Sequence, residues 1–513
     1  MPFKVPKEVG DVARTLTEKS FQTFLVGGCV RDLLLGREPK DWDIATDAKP
    51  TEIQKLFPDS VYENEFGTVL VKVKSEMVNG EKKSSFSIPY SPLNTVEVTT
   101  FRLEGRYTDK RHPDEVKFAK TIEEDLGRRD FTVNAIAVAL SDKDTAESSP
   151  ISHVTLPMSL VDPFGGKDDL KKKLIRAVGK AEDRFEEDAL RLLRAVRFAC
   201  ELGFSIEAKT TAALKAKASG LEFVSKERIR DEFSKIIMSK AGDRGIEMLL
   251  EFGLLKYVVP ELLEGVGMGQ NKHHIFTVFE HNLKSLTYAV SKNFPLDLRI
   301  ASLLHDVGKP RTKQGNGINS TFYGHQVVGE RMAVKILDRL RYPKEMVEKV
   351  ALLVREHMFV YDPETVTLAG VRRLIARVGK ENVDDLLKIR EADRIGSGVP
   401  KAQPYRLRYL KAMIEKVQQD PVHPKMLKIK GGAVMELLKI EPGPRVGKIL
   451  AILLEEVLDD PTRNEIEILK SRVRELGRLS DAELAKLGEK ADATAKAAQD
   501  RIDEEIKKKH SVG

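Results

Sequence analysis

Two aspartates one residue apart, Asp41 and Asp43 in PKDWDIAT, place paired carboxylates on one face of a predicted strand, because side chains alternate with period two. Hard oxygen ligands of this kind suit Mg2+. A pair of such ions about 4 Å apart activates an attacking hydroxyl while neutralising a leaving pyrophosphate. Just upstream, in VGGCVRDLLLG, Gly27 and Gly28 open a predicted helix whose amides can approach phosphate, and Arg31, one turn in, adds positive charge. Taken singly, a glycine pair or a spaced aspartate pair describes an ordinary strand-to-helix turn followed by an acidic loop. Their conjunction with Arg31, Asp32 and the LLLG spacing points to phosphoryl chemistry at a nucleoside triphosphate.

Two further groups carry chemistry. In EEDALRLLRAVRF, Asp188 and Arg191 are three residues apart, hence neighbours on a predicted helix, one accepting and the other donating hydrogen bonds. Taken alone, such a pair is an ordinary surface ion pair contributing only a few tenths of a kcal/mol, roughly. Downstream, FEHNL, RIASLLHDVGKP, GHQVVGE, VREHM and EADRIG present His281, His305, Asp306, His325, His357 and Asp393 as possible ligands. A mixed imidazole and carboxylate set suits Mn, Fe, Ni or Mg rather than thiolate-bound Zn. The competing reading is a helical body whose histidines cap or pack.

These residues need elements to hold them. FLVGG from Phe24, TVLVKV from Thr68 and TVEVTTF from Thr95 read as short strands, FTVNAIAVAL from Phe131 as another apolar run, and CVRDLLLG as a helix closed by Gly36. The polar stretches from Ser75 and from Ser141 read as surface loops. Beyond DPFGG at Asp162 the β-branched density falls and long periodic segments take over. The expected fold class is therefore α+β, with a central mixed sheet over residues 1–165, an all-helical neck over 166–245, a helical body over 246–398, a helical region over 399–478, and an exposed or frayed tail over 479–513.

Composition is compatible with this. Apolar residues make up 41 %, aromatic residues 6 % and charged residues 32 % of 513, which describes a helix-rich chain with a well-solvated surface and excludes global disorder. Lys and Arg outnumber Asp and Glu 86 to 79, so attraction of phosphate backbones requires local clustering. Cys29 and Cys200 are expected to be buried thiols in a reducing compartment. No apolar run approaches the ~20 residues that span a bilayer, and the expectation is a cytoplasmic protein with no membrane partner.

The chain resembles the tRNA nucleotidyltransferase and poly(A) polymerase family, specifically its bacterial CCA-adding type. The resemblance runs through VGGCVRDLLLGREPKDWDIAT, GRRDFTVNAIAV from Gly127, LVDPFGGKDDL from Leu160, EEDALRLLRAVRFACELGF from Glu186 and SKERIRDEFSKII from Ser225, in the family's order. It implies that Gly27, Gly28 and Arg31 contact the incoming nucleotide and that Asp41 and Asp43 bind Mg2+, with Glu97 a third acidic candidate. It further implies that Arg129, Asp130 and Asn134 support the ribose and triphosphate, that Glu187, Asp188 and Arg191 read the base, and that Arg194 and Arg197 lie beside the phosphates. RLEGRYTDKRHPDEV from Arg102 is similar to the loop that accompanies the switch from C to A addition, with Arg102, Glu104, Tyr107, Asp109 and Arg111 matching its character. The histidine segment is similar to HD-type metal-dependent phosphohydrolases, implying a site of His281, His305, Asp306 and Asp393 for Mn2+, Ni2+, Fe2+ or Mg2+. The region from Met426 is similar to the family's tRNA-binding C-terminus, with Ala433 standing where an acidic residue is more usual.

Three functions compete on this basis. The first is addition of C, C and A to tRNA from CTP and ATP with release of pyrophosphate, and the second is A addition alone or polyadenylation. The third is an HD phosphohydrolase carrying a vestigial transferase domain, which intact Asp41, Asp43, Arg129, Asp188 and Arg191 disfavour.

Overall fold

Alternating apolar residues become strands where they can bury one face. In a computed structural model of the chain, which describes residues 3–62, 67–73, 95–103, 117–140, 153–156, 159–271, 275–417 and 424–487, eleven strands belong to the first 161 residues. They are β1 (Phe3–Pro6), β2 (Thr23–Val26), β3 (Asp43–Thr46), β4 (Ser60–Tyr62), β5 (Thr68–Lys72), β6 (Thr95–Thr100), β7 (Arg102–Leu103), β8 (Lys117–Phe118), β9 (Ala137–Ala139), β10 (His153–Leu156) and β11 (Ser159–Val161). Seven of them form one sheet in the order β11-β9-β2-β3-β6-β5-β4. Its pairs are antiparallel except β3 with β6, which run parallel and set Asp43 opposite Glu97. The expected central mixed sheet is therefore present.

Alternation explains the burial in β6, whereas β3, interior to the sheet, is buried on both faces. In β6 the side chains of Val96 and Val98 are buried while Thr95 and Glu97 are exposed, and in β3 Ile44 and Ala45 are buried beside half-buried Asp43. Fully burying each such valine or isoleucine stabilises the fold by about 1.5–3 kcal/mol.

Several local expectations are corrected. The apolar run Phe131–Leu140 is divided: Phe131 bridges Ala177, Thr132–Asn134 forms a 3-10 turn, and Ala137–Ala139 is the sheet strand. The turn is held by polar contacts that hydrophobicity does not reveal, Thr132 Oγ1 donating to Asp169 at 2.7 Å and Asn134 Nδ2 to Asp130 at 3.1 Å. The stretch from Ser141, read as loop, contains β10, which pairs antiparallel with β1. The helical neck also contains a two-residue parallel pair, Leu174–Ile175 with Ser205–Ile206. Of the segment from Arg102, β7 pairs antiparallel with β8 beyond its end, and Glu104, Tyr107, Asp109 and Arg111 lie outside the described residues, as does the polar stretch from Ser75.

The chain divides into two compact units, Met1–Pro260 and Glu261–Gly513. The second is helical, its ligand-bearing helices being Val278–Ser291, Leu296–Leu304, His325–Arg339, Lys344–Glu356 and Val383–Gly396. Its last part packs Gly431–Leu438, Pro444–Asp459 and Ile466–Gly477 around Leu427, Ile429, Ile449, Leu453 and Val473. Leu484 is fully buried in that cluster, so the tail expected to be exposed from residue 479 starts as part of a core. Both cysteines are buried free thiols, as expected. Among the described residues no helix is long and apolar enough to cross a membrane.

Candidate active site and metal centre

At the end of β2 the chain turns sharply into the helix Gly28–Leu34. Gly27 caps that helix at φ 74°, ψ −129°, a conformation that only glycine adopts without strain. Close approach excludes a side chain there as well, since an added Cβ would lie 2.7 Å from Arg129 Nη1 and 3.5 Å from Asp43 Oδ2. The glycine thus lets a cation and a carboxylate converge on a helix N-terminus.

Asp43 opens β3, whereas Asp41 precedes the strand, so only one of the expected pair is a strand residue. The alternation survives the irregularity: Trp42 is buried, while Asp41 is exposed and Asp43 half-buried. Burial raises the Asp43 carboxyl above its usual range and Asp41 adds to the effect, against Arg129 and Arg31, which lower it. Two carboxylates crowded together at this cost, with Glu97 in register beside one of them, fit a divalent cation, whose charge would reverse the penalty.

The basic groups are held in place. Arg31 donates to both oxygens of Asp32, at 2.9 and 3.0 Å, and to Asn134 Oδ1 at 2.8 Å. Arg129 pairs with buried Asp125 at 3.2 Å. Asp130 accepts from Phe131 N and Asn134 Nδ2 on one oxygen and from Arg194 on the other, at 2.6 Å. Burial pushes the Asp130 carboxyl up, but Arg194, the Asn134 amide and Arg191 outweigh it and hold it down at about 2. Phe198 lies against three guanidiniums, those of Arg31, Arg194 and Arg197, at 5.4, 5.3 and 4.3 Å from its ring centre.

Asp188 and Arg191 are not the helical neighbours that their spacing predicts. The helix Ala181–Glu187 ends before Asp188, which is extended at φ −142°, ψ 103°, and the next helix starts at Leu190. Asp188 caps that second helix through Leu190 N at 3.0 Å and pairs with Arg228 at 2.7 Å. Arg191 pairs with Glu187 at 2.7 Å and donates to the carbonyl of Arg128. The break matters because it turns both side chains into one cleft of about 1500 Å³, lined also by Gly27, Gly28, Arg31, Asp41, Asp43, Glu97, Arg129, Asp130, Asn134, Arg194 and Arg197. Among the described residues, of those expected in the first unit, Glu187 alone is not among its lining residues. Arg228, Phe198, Lys235 and Lys240 line it too. Sequence reasoning assigned them nothing, although Arg228 stands in the SKERIRDEF segment.

In the second unit all six proposed ligands converge. His281 Nε2 lies 3.0 Å from Asp306 Oδ2 and 3.3 Å from Asp393 Oδ1, and His305 Nε2 lies 3.4 and 3.7 Å from the same atoms. His325 and His357 approach the other oxygen of Asp306, at 3.2 and 3.6 Å. Asp306 therefore joins two ligand sets, each with donor atoms within 4.8 Å of one another. His305, His325 and His357 each direct Nδ1 at a backbone carbonyl, of Ser302, Phe322 and Val354, at 2.9, 2.7 and 2.7 Å. That support aims the Nε2 atoms inward. Burial lowers His357 to about 4 and keeps it neutral. Burial also opposes charge on His305, but Asp306 and Asp393 outweigh it and raise it to about 10. The His357 Nε2 faces His325 Nε2 at 3.3 Å beside a carboxylate oxygen of Asp306, a donor set that fits a metal ion. Lys309, unassigned from sequence, contacts Asp306 Oδ2 at 2.5 Å and Gln270 at 2.7 Å.

Comparison with known proteins agrees with the geometry. Residues 23–176 match the poly A polymerase head domain, 203–265 a probable RNA and SrmB-binding site of polymerase A, and 278–397 the HD domain. The A-adding tRNA nucleotidyltransferase of Deinococcus radiodurans is 38 % identical over 355 residues, 67 % of this chain and 76 % of that one. The CCA-adding enzyme of Lactococcus lactis is 32 % identical over 483 residues, 92 % and 99 % of the two chains. The crystal structure of Bacillus stearothermophilus CCA-adding enzyme in complex with CTP superposes with a TM-score of 0.65 at 26 % identity, covering 92 % of this chain and 97 % of that one.

Proposed function

The chain belongs to the tRNA nucleotidyltransferase and poly(A) polymerase family, and from that premise we propose that this nucleotidyltransferase adds C, C and A in turn to the 3′ end of tRNA, using CTP and ATP. The observation that carries the reading is the single cleft lined by Asp41, Asp43 and Glu97 together with Arg129, Asp130, Asp188, Arg191 and Arg194. The tRNA 3′ hydroxyl attacks the α-phosphorus, a new P–O bond forms, and pyrophosphate leaves. Asp41 and Asp43 would hold Mg2+, which when bound favours deprotonation of the hydroxyl and neutralises the leaving group.

The other roles belong to this chain's own side chains. Amides at Gly27 and Gly28, with Arg31, Arg129 and Arg194, bind and orient the triphosphate, and the Phe198 ring spaces the guanidiniums. Asp130 and Asn134 fix the arginines at the ribose end. Asp188 accepts and Arg191 donates to the base edge, each held by a partner, Arg228 and Glu187. We assign residues 1–165 to transfer, 166–245 to nucleotide reading, 246–398 to the HD body and 399–478 to tRNA contact, and place the protein in the cytoplasm with its tRNA substrate.

In the HD body His281, His305, Asp306 and Asp393 would hold Mn2+, Ni2+, Fe2+ or Mg2+, and His325 and His357 a second ion. A metal-dependent phosphohydrolase acting on terminal or 2′,3′-cyclic phosphate follows as a second activity.

The identity to an A-adding relative gives A-only addition a specific claim. Three tRNA transcripts, ending before CCA, after CC and after CCA, distinguish the two when incubated with Mg2+, CTP and ATP separately and together. Growth of the first transcript by C, C and A, stopping there, is the expected result. Extension of the CC transcript alone would replace it with A-only addition.

A further inference from the structure

Beside the HD centre two arginines converge on one phenol. Arg390 and Arg394 stand one turn apart on the helix Val383–Gly396 that carries Asp393. Arg390 Nη2 and Arg394 Nη1 donate to Tyr361 Oη at 3.2 and 3.0 Å, and the Arg390 guanidinium lies 5.1 Å from the Tyr361 ring centre. Arg390 also donates to Asp393. The cluster adjoins the centre through Asp393, which the Arg390 guanidinium contacts.

The charges do not balance there. Asp393 offsets Arg390, but among the described residues no carboxylate pairs with Arg394. The Nε atoms of both arginines are buried without a hydrogen-bond partner. A structural pin for Tyr361 needs one guanidinium; a second brings like-charge repulsion and another unmet donor. The like-charge repulsion is relieved if an anion with several acceptor oxygens is present, and the planar fork of arginine matches phosphate.

We propose that Arg390, Arg394 and Tyr361 form a phosphate subsite that seats the phosphate group of the HD centre's substrate, a phosphomonoester or cyclic phosphodiester. The subsite rests on the reading of His281, His305, Asp306 and Asp393 as a metal centre for its chemistry, though not for its anion binding. Arg390 and Arg394 would offer their Nη donors, and Tyr361 its hydroxyl, to the phosphate oxygens.

Inorganic phosphate titrated calorimetrically into the full chain, with and without Mn2+, tests it in wild type, Arg394→Gln and Arg394→Lys. Phosphate bound in the first unit's cleft is common to all three and cancels. Phosphate affinity is expected to fall at least tenfold in Arg394→Gln and less in Arg394→Lys, with Mn2+ stoichiometry and the thermal midpoint unchanged. Equal phosphate binding in wild type and Arg394→Gln overturns the subsite, and if Arg394→Gln fails to fold, equal binding by Arg394→Lys does so. Absence of Mn2+ binding in wild type defeats the metal reading instead, the metal-free titrations still deciding the subsite.

Discussion

Among single residues, Asp130 couples stability to function most directly. Its two oxygens accept four donors, from Phe131, Asn134 and Arg194, and burial would favour its neutral form if those partners were absent. Because they hold it at about 2, against ~3.9 for an unfolded aspartate, the folded state binds fewer protons than the unfolded one in between. The stabilisation is thus fully present above pH ~4 and is lost as pH falls towards 2, amounting to about 2 kcal/mol. Asp130→Asn is expected to lower stability by that order at pH 7 and to flatten the acid limb of a urea midpoint measured from pH 5 to 3. An unchanged midpoint and slope would show that the Arg194 pair contributes nothing net. Nucleotide affinity is expected to fall as well, since Arg194 loses the partner that aims it.

At the scale of elements, the HD centre depends on how closely two segments approach. An added Cβ at Gly308 would lie 2.2 Å from His325 O and 2.6 Å from Gly329 N. Both are backbone atoms, so Gly308→Ala must push the helix His325–Arg339 away from the segment that carries His305 and Asp306. Overpacking of this kind costs about 1–3 kcal/mol. The expected outcome is a lower melting temperature and at least tenfold weaker Mn2+ binding, measured by electron paramagnetic resonance. Native Mn2+ affinity in that variant would mean that the histidine's position does not depend on the contact. This contact is also a measure of what the sequence could tell. HDVG signals ligands and a turn, but the need for glycine arises from a helix that starts at residue 325. Similarly, Asp41 and Asp43 suggest a metal pair because their types suit a divalent cation at short spacing, whereas Arg129, distant in the chain, enters only through the family resemblance. The break at Asp188 was not legible, because a periodic apolar pattern continues straight through it while the capping bond to Leu190 N decides the local backbone. The parallel pairing of β3 with β6 was hidden by the intervening chain, and the strand His153–Leu156 by its polar and proline-bearing surroundings.

At the scale of the whole molecule, each site draws its residues from one unit. The cleft is lined by residues between Val26 and Ala241, and the candidate metal ligands lie between His281 and Asp393, on either side of the division at Pro260. Among the described residues none belongs to both, so the two chemistries are expected to fail separately. Removing a carboxylate from Asp41 or Asp43 relieves crowding rather than breaking a stabilising pair, because burial and mutual repulsion already work against the charged form of Asp43. Asp43→Ala is therefore expected to abolish nucleotide incorporation into tRNA, by at least a thousandfold, while leaving the melting temperature and Mn2+ binding at the HD centre intact. In the second unit Asp306 holds Lys309 and faces four histidines. His305→Ala with Asp306→Ala is expected to remove Mn2+ binding and any metal-dependent phosphatase activity while CCA addition continues at its normal rate. Radiolabelled CTP and ATP incorporation, alongside Mn2+ titration of both variants, reads the two functions in parallel. Near-normal incorporation by Asp43→Ala would defeat the transferase assignment. Loss of incorporation in the double variant, with its first unit still folded, would show that the HD centre supports transfer as well as its own chemistry.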